Sequence, residues 1–307
     1  MTEHDERTND VSKQLKLRVI TFFLLTLSSF SQAAPAVWQA EKDGTIITLF
    51  GSIHMGIPSF YPLPDIVETA FIEADALVVE VDLNTITRPQ VPDRRNSYQA
   101  LNISEKRQLE TVAPKAGVDL SLLYAMQPWQ AAMALQLAQA KSLGLRPDFG
   151  IDVHFIQKSN TYNKPVIALE SMEEQFSVLT SMEDGGKNLL LETMDDWEQK
   201  QADLKCLLSA WQQGDDTTLT NMSTYFENTT QFAESMLFER NRDWVEQLSD
   251  PKKFKKGKYL LVAGDLHFRG KQGVLSLLQK EGFSVRRLNK GGKVSCFPKE
   301  RLASTNT

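Results

Sequence analysis

The amino-acid sequence predicts an α/β fold: a single domain with a mixed central sheet built from two strand-GxxH-helix-strand units, joined by a helical middle segment. Three observations predict it. The β-branched and aromatic run Thr45 to Phe50 continues into Gly51-Ser52-Ile53-His54, and the apolar run Lys258 to Ala263 continues into Gly264-Asp265-Leu266-His267. Each run is followed by a loop, an amphipathic helix and another apolar strand. The chain between the two units carries mostly helical periodicity. With 307 residues, 41% of them hydrophobic and 24% charged, the composition supports a full core and excludes disordered, collagenous and disulfide-dense classes. The net charge of -5 argues against a nucleic-acid partner, which needs a basic surface.

The first 33 residues stand apart. Lys13, Lys16 and Arg18 precede the apolar run Val19 to Phe30, and Ser31 and Ala33 follow it, the layout of a secretory signal peptide cleaved near Ala33. The run is shorter than the about twenty residues that span a bilayer, although an uncleaved anchor is the rival reading. No other stretch is long and apolar enough. Residues 34–307 are therefore expected to form an exported domain, periplasmic or secreted, with no stable membrane insertion after processing.

Within that domain, Val37 to Ala40 and Thr45 to Phe50 flank Lys42-Asp43-Gly44, a hairpin signal. After the first Gly-x-x-His, Tyr61, Pro62 and Pro64 lead into a helix over Asp65 to Ala74, and Ala76 to Leu83 reads as a strand. A helix from Pro128 to Leu143 opens on a proline and stops at Gly144. Pro165 to Leu169 is a short buried strand closed by Glu170. Lys187 to Gln213 and Gln231 to Leu248 read as further helices, and five lysines within Lys252 to Lys258 as a solvated loop. After the second motif come a helix over Val274 to Lys280 and a strand over Phe283 to Leu288. Export permits one bridge between Cys206 and Cys296; burial of Cys206 as a small apolar residue is the plainer alternative.

Chemistry concentrates at the strand ends. Of four histidines, His4 lies in the leader, which leaves His54, His154 and His267, and two of these occupy the Gly-x-x-His motifs. In open α/β sheets ligands bind beyond the carboxyl ends of strands. The glycine is expected to let the backbone turn so that the imidazole projects into a shared crevice. Glu80 interrupts an apolar strand, where an isolated carboxylate is costly to ionise, and Asp82 shares its face if the strand continues. Glu170 closes another strand. On the helix Gln231 to Leu248 the apolar stripe through Ala233, Leu237, Trp244 and Leu248 is completed by Arg240 or Asn241. A cation there needs an acidic partner, Glu80 or Glu170, unless it polarises a substrate oxyanion. Singly, each group has a plain reading as a hydrogen-bonded strand end or a snorkelling arginine; together they form a His/carboxylate cluster. Gly-x-Ser-x-Gly, His-Glu-x-x-His, Walker and dinucleotide motifs are all missing from the sequence.

The two Gly-x-x-His motifs, Glu80 within ALVVEVDL, Gly150-Ile151-Asp152, the segment Leu169-Glu170 to Gln175 and the Glu239-Arg240-Asn241 helix together resemble the TraB/GumN family. That family is related to the Tiki metalloproteases and more distantly to erythromycin-esterase-like and ChaN-like haem-binding proteins. The resemblance implies that His54, Glu80 and His267 are candidate ligands of a divalent metal, manganese, cobalt or zinc, with Arg240 and Asn241 in the same pocket. On this expectation Glu170 accepts a proton from the metal-activated water, Arg240 stabilises the oxyanion and Asn241 orients substrate or metal. The substrate is then a peptide or a small molecule. Asp265 departs from the small or apolar residue expected inside the second motif. Two alternatives stand beside the metal-dependent peptidase: a metal-free hydrolase with His54 as general base, and a non-catalytic protein that binds haem or a peptide.

Overall fold

A computed structural model describes residues 33–85, 91–182, 184–229 and 232–297. The expected leader, but for its last residue, lies outside the described residues. Strands β1 (Val37–Lys42) and β2 (Thr45–Ser52) form the expected hairpin. Its turn is Asp43-Gly44, with φ of 52° and 88°; two positive φ angles match the twist of the flanking strands. Helix α1 (Asp65–Glu73) leads to β3 (Ala76–Val79), and after the middle segment come β4 (Val166–Ala168), β5 (Gly257–Gly264) and β6 (Ser284–Arg287). The strand order is β4-β3-β5-β2-β1-β6. β4, β3, β5 and β2 run parallel, and β1 is antiparallel to both its neighbours. The α/β class and the mixed sheet are as expected. The expected meeting of two units across a crevice is corrected: β5 inserts between β2 and β3, so the units interleave within one sheet.

Alternation along the central strands explains why both faces are covered. Phe50, Leu77, Val79, Leu260 and Val262 point to one face, where Val67 and Phe71 of α1 and Ile151 and Phe155 of α6 (Ile151–Tyr162) pack with Trp211. Ile47, Leu49, Val78, Leu261 and Ala263 point to the other face. There they meet Trp244, Val245 and Leu248 of α11 (Glu239–Ser249) and Val274 and Leu278 of α12 (Val274–Lys280). A strand apolar on both faces is what a sheet covered by helices on both sides requires.

The middle segment forms α2 (Ser97–Ala100), α3 (Ile103–Ala116), α4 (Leu120–Ala125), α5 (Pro128–Ser142), α7 (Met172–Thr180), α8 (Lys187–Met194), α9 (Trp197–Gln213) and α10 (Asp216–Thr229). Leu109, Leu123, Trp129, Leu135, Leu190 and Trp197 share a core of their own, separate from the two faces of the sheet. The helix expected over Lys187 to Gln213 breaks at Asp195 and Asp196, the latter left-handed with φ 45°. Aspartate is a poor helix former that tolerates this conformation. The helix expected over Gln231 to Leu248 starts with a π-helical stretch, Glu234–Phe238, before α11. Among the described residues no helix is long and apolar enough to cross a membrane.

Candidate functional site

The two motifs meet because of strand register. In the parallel β2–β5 pair, Gly51 lies opposite Ala263 and Ser52 opposite Gly264, so both strands end at one level and release their loops side by side. The glycines serve close approach rather than the sharp turn expected of them. A methyl group on Gly51 would lie 2.8 Å from Cβ of Asp265 and closer still to its carboxylate. A methyl group on Gly264 would lie 3.2 Å from Glu80 Oε1, 3.5 Å from His267 Cδ2 and 3.7 Å from His54 Nε2. Gly264 is thus the floor on which the three candidate residues converge. The carbonyl of Gly51 accepts a hydrogen bond from Trp211 Nε1 at 2.8 Å, which ties the first motif to α9.

His54 is steered by a neighbouring loop. Gly56 exchanges backbone hydrogen bonds with Arg146, and Ile151 N–H donates to Ile53 O at 3.1 Å. These contacts bring Asp152, in the first turn of α6, to His54, where Oδ2 lies 3.1 Å from Nδ1. An Nδ1–H held by a carboxylate leaves Nε2 free. His267 is held the same way. Asn241 Nδ2 donates to Gln272 O at 2.9 Å, so its Oδ1 is the atom facing His267 Nδ1 at 2.6 Å and accepts the ring proton. The His267 ring also stacks on Trp244, with centroids 4.3 Å apart.

The carboxylates are organised by Arg240. Glu80 lies one residue past the end of β3, not inside the strand, and its backbone oxygen accepts from Glu170 N–H at 2.9 Å. Arg240 donates from Nη2 to Glu80 Oε2 at 2.7 Å and to Glu170 Oε1 at 2.5 Å, from Nε to Glu170 Oε2 at 2.9 Å, and from Nη1 to Met236 O at 2.8 Å. Gln175 Nε2 lies within 3.3 Å of both carboxylates, and Gly264 N–H donates to Glu80 Oε1 at 2.6 Å. Arg240 therefore pairs with both of its expected partners at once. Asp82 turns away and accepts from Asn84, because the strand stops short of it. Asp265 forms a bidentate pair with buried Arg269 and acts as a structural residue of the motif.

Burial and charge set the protonation of the cluster. The His54 side chain is 60% exposed; desolvation by the surrounding protein works to lower its pKa, but the bond to Asp152 and the charges of Glu80 and Asp152 outweigh it and raise the value to about 9. Burial alone pushes Glu80 up, yet the charges of His54 and Arg240 and the Gly264 N–H bring it down to about 2. Burial holds His267 at about 3, so its ring is neutral. Glu170 is raised, because burial exceeds the opposing pull of Arg240. Glu80 and Glu170 thus share Arg240 as their cation, while Asp152 pairs with His54.

Two cavities open on the cluster. One of 130 Å³ is lined by Ser52, His54, Glu80, Asp152 and Gln175 among others. Ser52 is 2% exposed, and neither its Oγ nor Asp152 Oδ1 has a hydrogen-bond partner among the described residues. The second, of 310 Å³, is lined by His54, Arg240, Gly264, Asp265 and His267 among others. Among the described residues no three His, Cys, Asp or Glu side chains are grouped so as to hold a metal ion. His54 Nε2 and Glu80 Oε1 are 4.0 Å apart, and both Glu80 oxygens already accept hydrogen bonds. The three-ligand set does not stand ready.

The structure thus gathers His54, Glu80, Glu170, Arg240, Asn241 and His267. Glu170 lines neither cavity, and Asn241 is occupied with His267. Sequence reasoning noted Asp152 and Gln175 within similar segments without giving either a part; the helix-start position of Asp152 after Gly150 was the available signal. His154 lies apart, against Tyr61 and Glu68. The chain matches the TraB/PrgY/gumN family over residues 36–287 and belongs to it. It is 32% identical over 237 residues to the uncharacterized protein YbaP of Escherichia coli K12, a match covering 75% of this chain and 87% of YbaP, and equally to YbaP of Shigella flexneri. No solved structure matches the chain.

Proposed function

We propose that the chain is a hydrolase, acting on a peptide or a related acyl substrate, in which water is activated at Nε2 of His54. The observation that carries this reading is the convergence of His54 Nε2, Glu80 Oε1 and the His267 ring over Gly264. Asp152 holds the His54 ring through Nδ1, as a carboxylate does for a general base. Neutral His54 takes a proton from water at Nε2 as the water oxygen attacks the carbonyl, and returns it to the leaving group. Neutral His267, fixed by Asn241, offers an acceptor that orients the water. With four of its N–H groups engaged, Arg240 holds Glu80 and Glu170 in place rather than binding an oxyanion directly. Glu170 is accordingly a positioning residue in this mechanism.

A second reading is favoured by charge. The surplus of carboxylates that raises the His54 pKa would also favour a divalent cation in place of that proton. Both histidines have Nδ1 tied to an oxygen, the usual support of a metal-ligating imidazole. Such an ion would lie against His54, His267 and Glu80, lower the pKa of bound water and polarise the carbonyl.

The test uses untagged protein, wild type, His54→Ala and His267→Ala, each checked for folding. Metal content is measured, and cleavage of a peptide library is followed against pH with chelator or with manganese, cobalt or zinc. In the metal-free mechanism cleavage survives chelator and kcat/KM rises with pH up to about 9. Stoichiometric metal lost in both variants, with activity restored by an ion, establishes the second reading. No cleavage under any condition, or full activity in His54→Ala, overturns the hydrolase.

A further inference from the structure

We propose that the 310 Å³ cavity is a side-chain subsite that takes one bulky apolar side chain, leucine-, methionine- or phenylalanine-like, of an acyl substrate whose carbonyl lies over Gly264. The position of that carbonyl rests on the hydrolase reading; the preference for the side chain rests on the cavity alone. Its walls are Ile53 after β2, Leu207 of α9, Phe226 of α10, Met236 and Leu237 of the π-helical stretch, and Leu266 of the second motif. No charged group lies among these six. The charged and polar side chains of the lining, Ser52, His54, Arg240, Asp265 and His267, belong to the two motifs and to α11, and Asp265 is already paired with Arg269.

Continuity with the site identifies the occupant. Ser52 and His54 line both this cavity and the smaller one beside Glu80, so a group in the larger cavity lies next to the water-activating ring. At roughly 30 Å³ per water molecule, the volume equals about ten waters, enough for one large side chain and its carbonyl. The π-helical stretch links the two functions. Met236 supplies a wall with its side chain, while its backbone oxygen accepts Arg240 Nη1 at 2.8 Å and so helps to hold the arginine that positions Glu80. An acidic side chain entering the cavity would lose its hydration beside the apolar walls. A glycine would leave the walls uncovered.

The experiment measures binding, not turnover. N-acetyl-leucinamide, N-acetyl-phenylalaninamide, N-acetyl-glycinamide and N-acetyl-aspartamide are titrated by ligand-observed NMR into wild type, Leu207→Trp, Met236→Glu and His54→Ala. Leucine and phenylalanine amides are expected to bind roughly tenfold or more tightly than the glycine amide, the effect of burying one such side chain, and the aspartyl amide most weakly. Leu207→Trp fills the cavity and Met236→Glu charges its wall; each should abolish the preference for the leucine and phenylalanine amides over the glycine amide. Circular dichroism checks that each variant folds, and either one suffices. His54→Ala should keep the preference, which separates the subsite from the hydrolase: loss of all turnover with the preference intact removes only the proposed activity. Equal binding of the four amides by wild type, or a preference that survives in a folded Leu207→Trp or Met236→Glu variant, overturns the subsite.

Discussion

A single methyl group tests the convergence at Gly264. Gly264→Ala places carbon 3.2 Å from Glu80 Oε1 and within contact of both histidine rings. The variant is expected to fold with a modest loss of stability, while any catalytic rate falls at least tenfold because the reacting groups are pushed from alignment; an unchanged rate would remove Gly264 from the site. The two histidines make opposite contributions to stability against pH. His54, raised to about 9, gives its stabilisation in full below 6.5 and loses it as pH rises through 9. His267, held at about 3, stays unprotonated in the fold while the unfolded chain takes up a proton below 6.5, so stability falls from 6.5 downward. Glu80, lowered to about 2, loses its contribution only between 4.5 and 2, which leaves the His267 effect readable above 4.5. Urea midpoints across pH should therefore peak near 6.5. His267→Gln should flatten the acid side and His54→Gln the alkaline side; parallel profiles in all three proteins would contradict these assignments.

Among the elements, the neighbouring strand ends depend on buried ionic packing. Asp265 is locked to Arg269, which also reaches Asp216, and Gly51 makes room for that carboxylate. Arg269→Met strands a buried carboxylate and is expected to cost about 3–5 kcal/mol, whereas Gly51→Ala forces overpacking at about 1–3 kcal/mol. Chemical denaturation ranks the two, and a neutral Arg269→Met would show the pair to be dispensable. Much of this level was legible: the hairpin from Asp43-Gly44, the motif strands from their apolar runs, and α5 from its proline start and Gly144. What was not legible depends on partners distant in sequence. The end of β3 before Glu80 follows from the short β4 it pairs with, and the His54–Asp152 contact from the Gly56–Arg146 bridge. The π-helical stretch before Arg240 has no periodic signature. It changes which residues face the cavity without changing their apolar character.

For the whole molecule, the disulfide Cys206–Cys296 joins α9 to the C-terminal segment, where Val294 N–H donates to Asp215 and Gly292 N–H to Gln213 O. The bridge and the burial of Cys206, read from sequence as alternatives, are both present. Replacing both cysteines with alanine is expected to lower stability by about 2–4 kcal/mol, seen as a lower denaturation midpoint; equal midpoints would assign the bridge no constraining role. Strand order could not be read, because nothing in either unit states that β5 enters between β2 and β3. That placement has a consequence for the chain as it is synthesised. β2 and β3 emerge early, yet neither can pair with the other, since the strand between them is made only after the whole middle segment. Until Gly257–Gly264 leaves the ribosome, two strand edges remain open to any passing chain, and the ground on which His54 and His267 meet does not yet exist. A product cut short before Gly257 is therefore expected to be an aggregation hazard rather than a smaller folded domain.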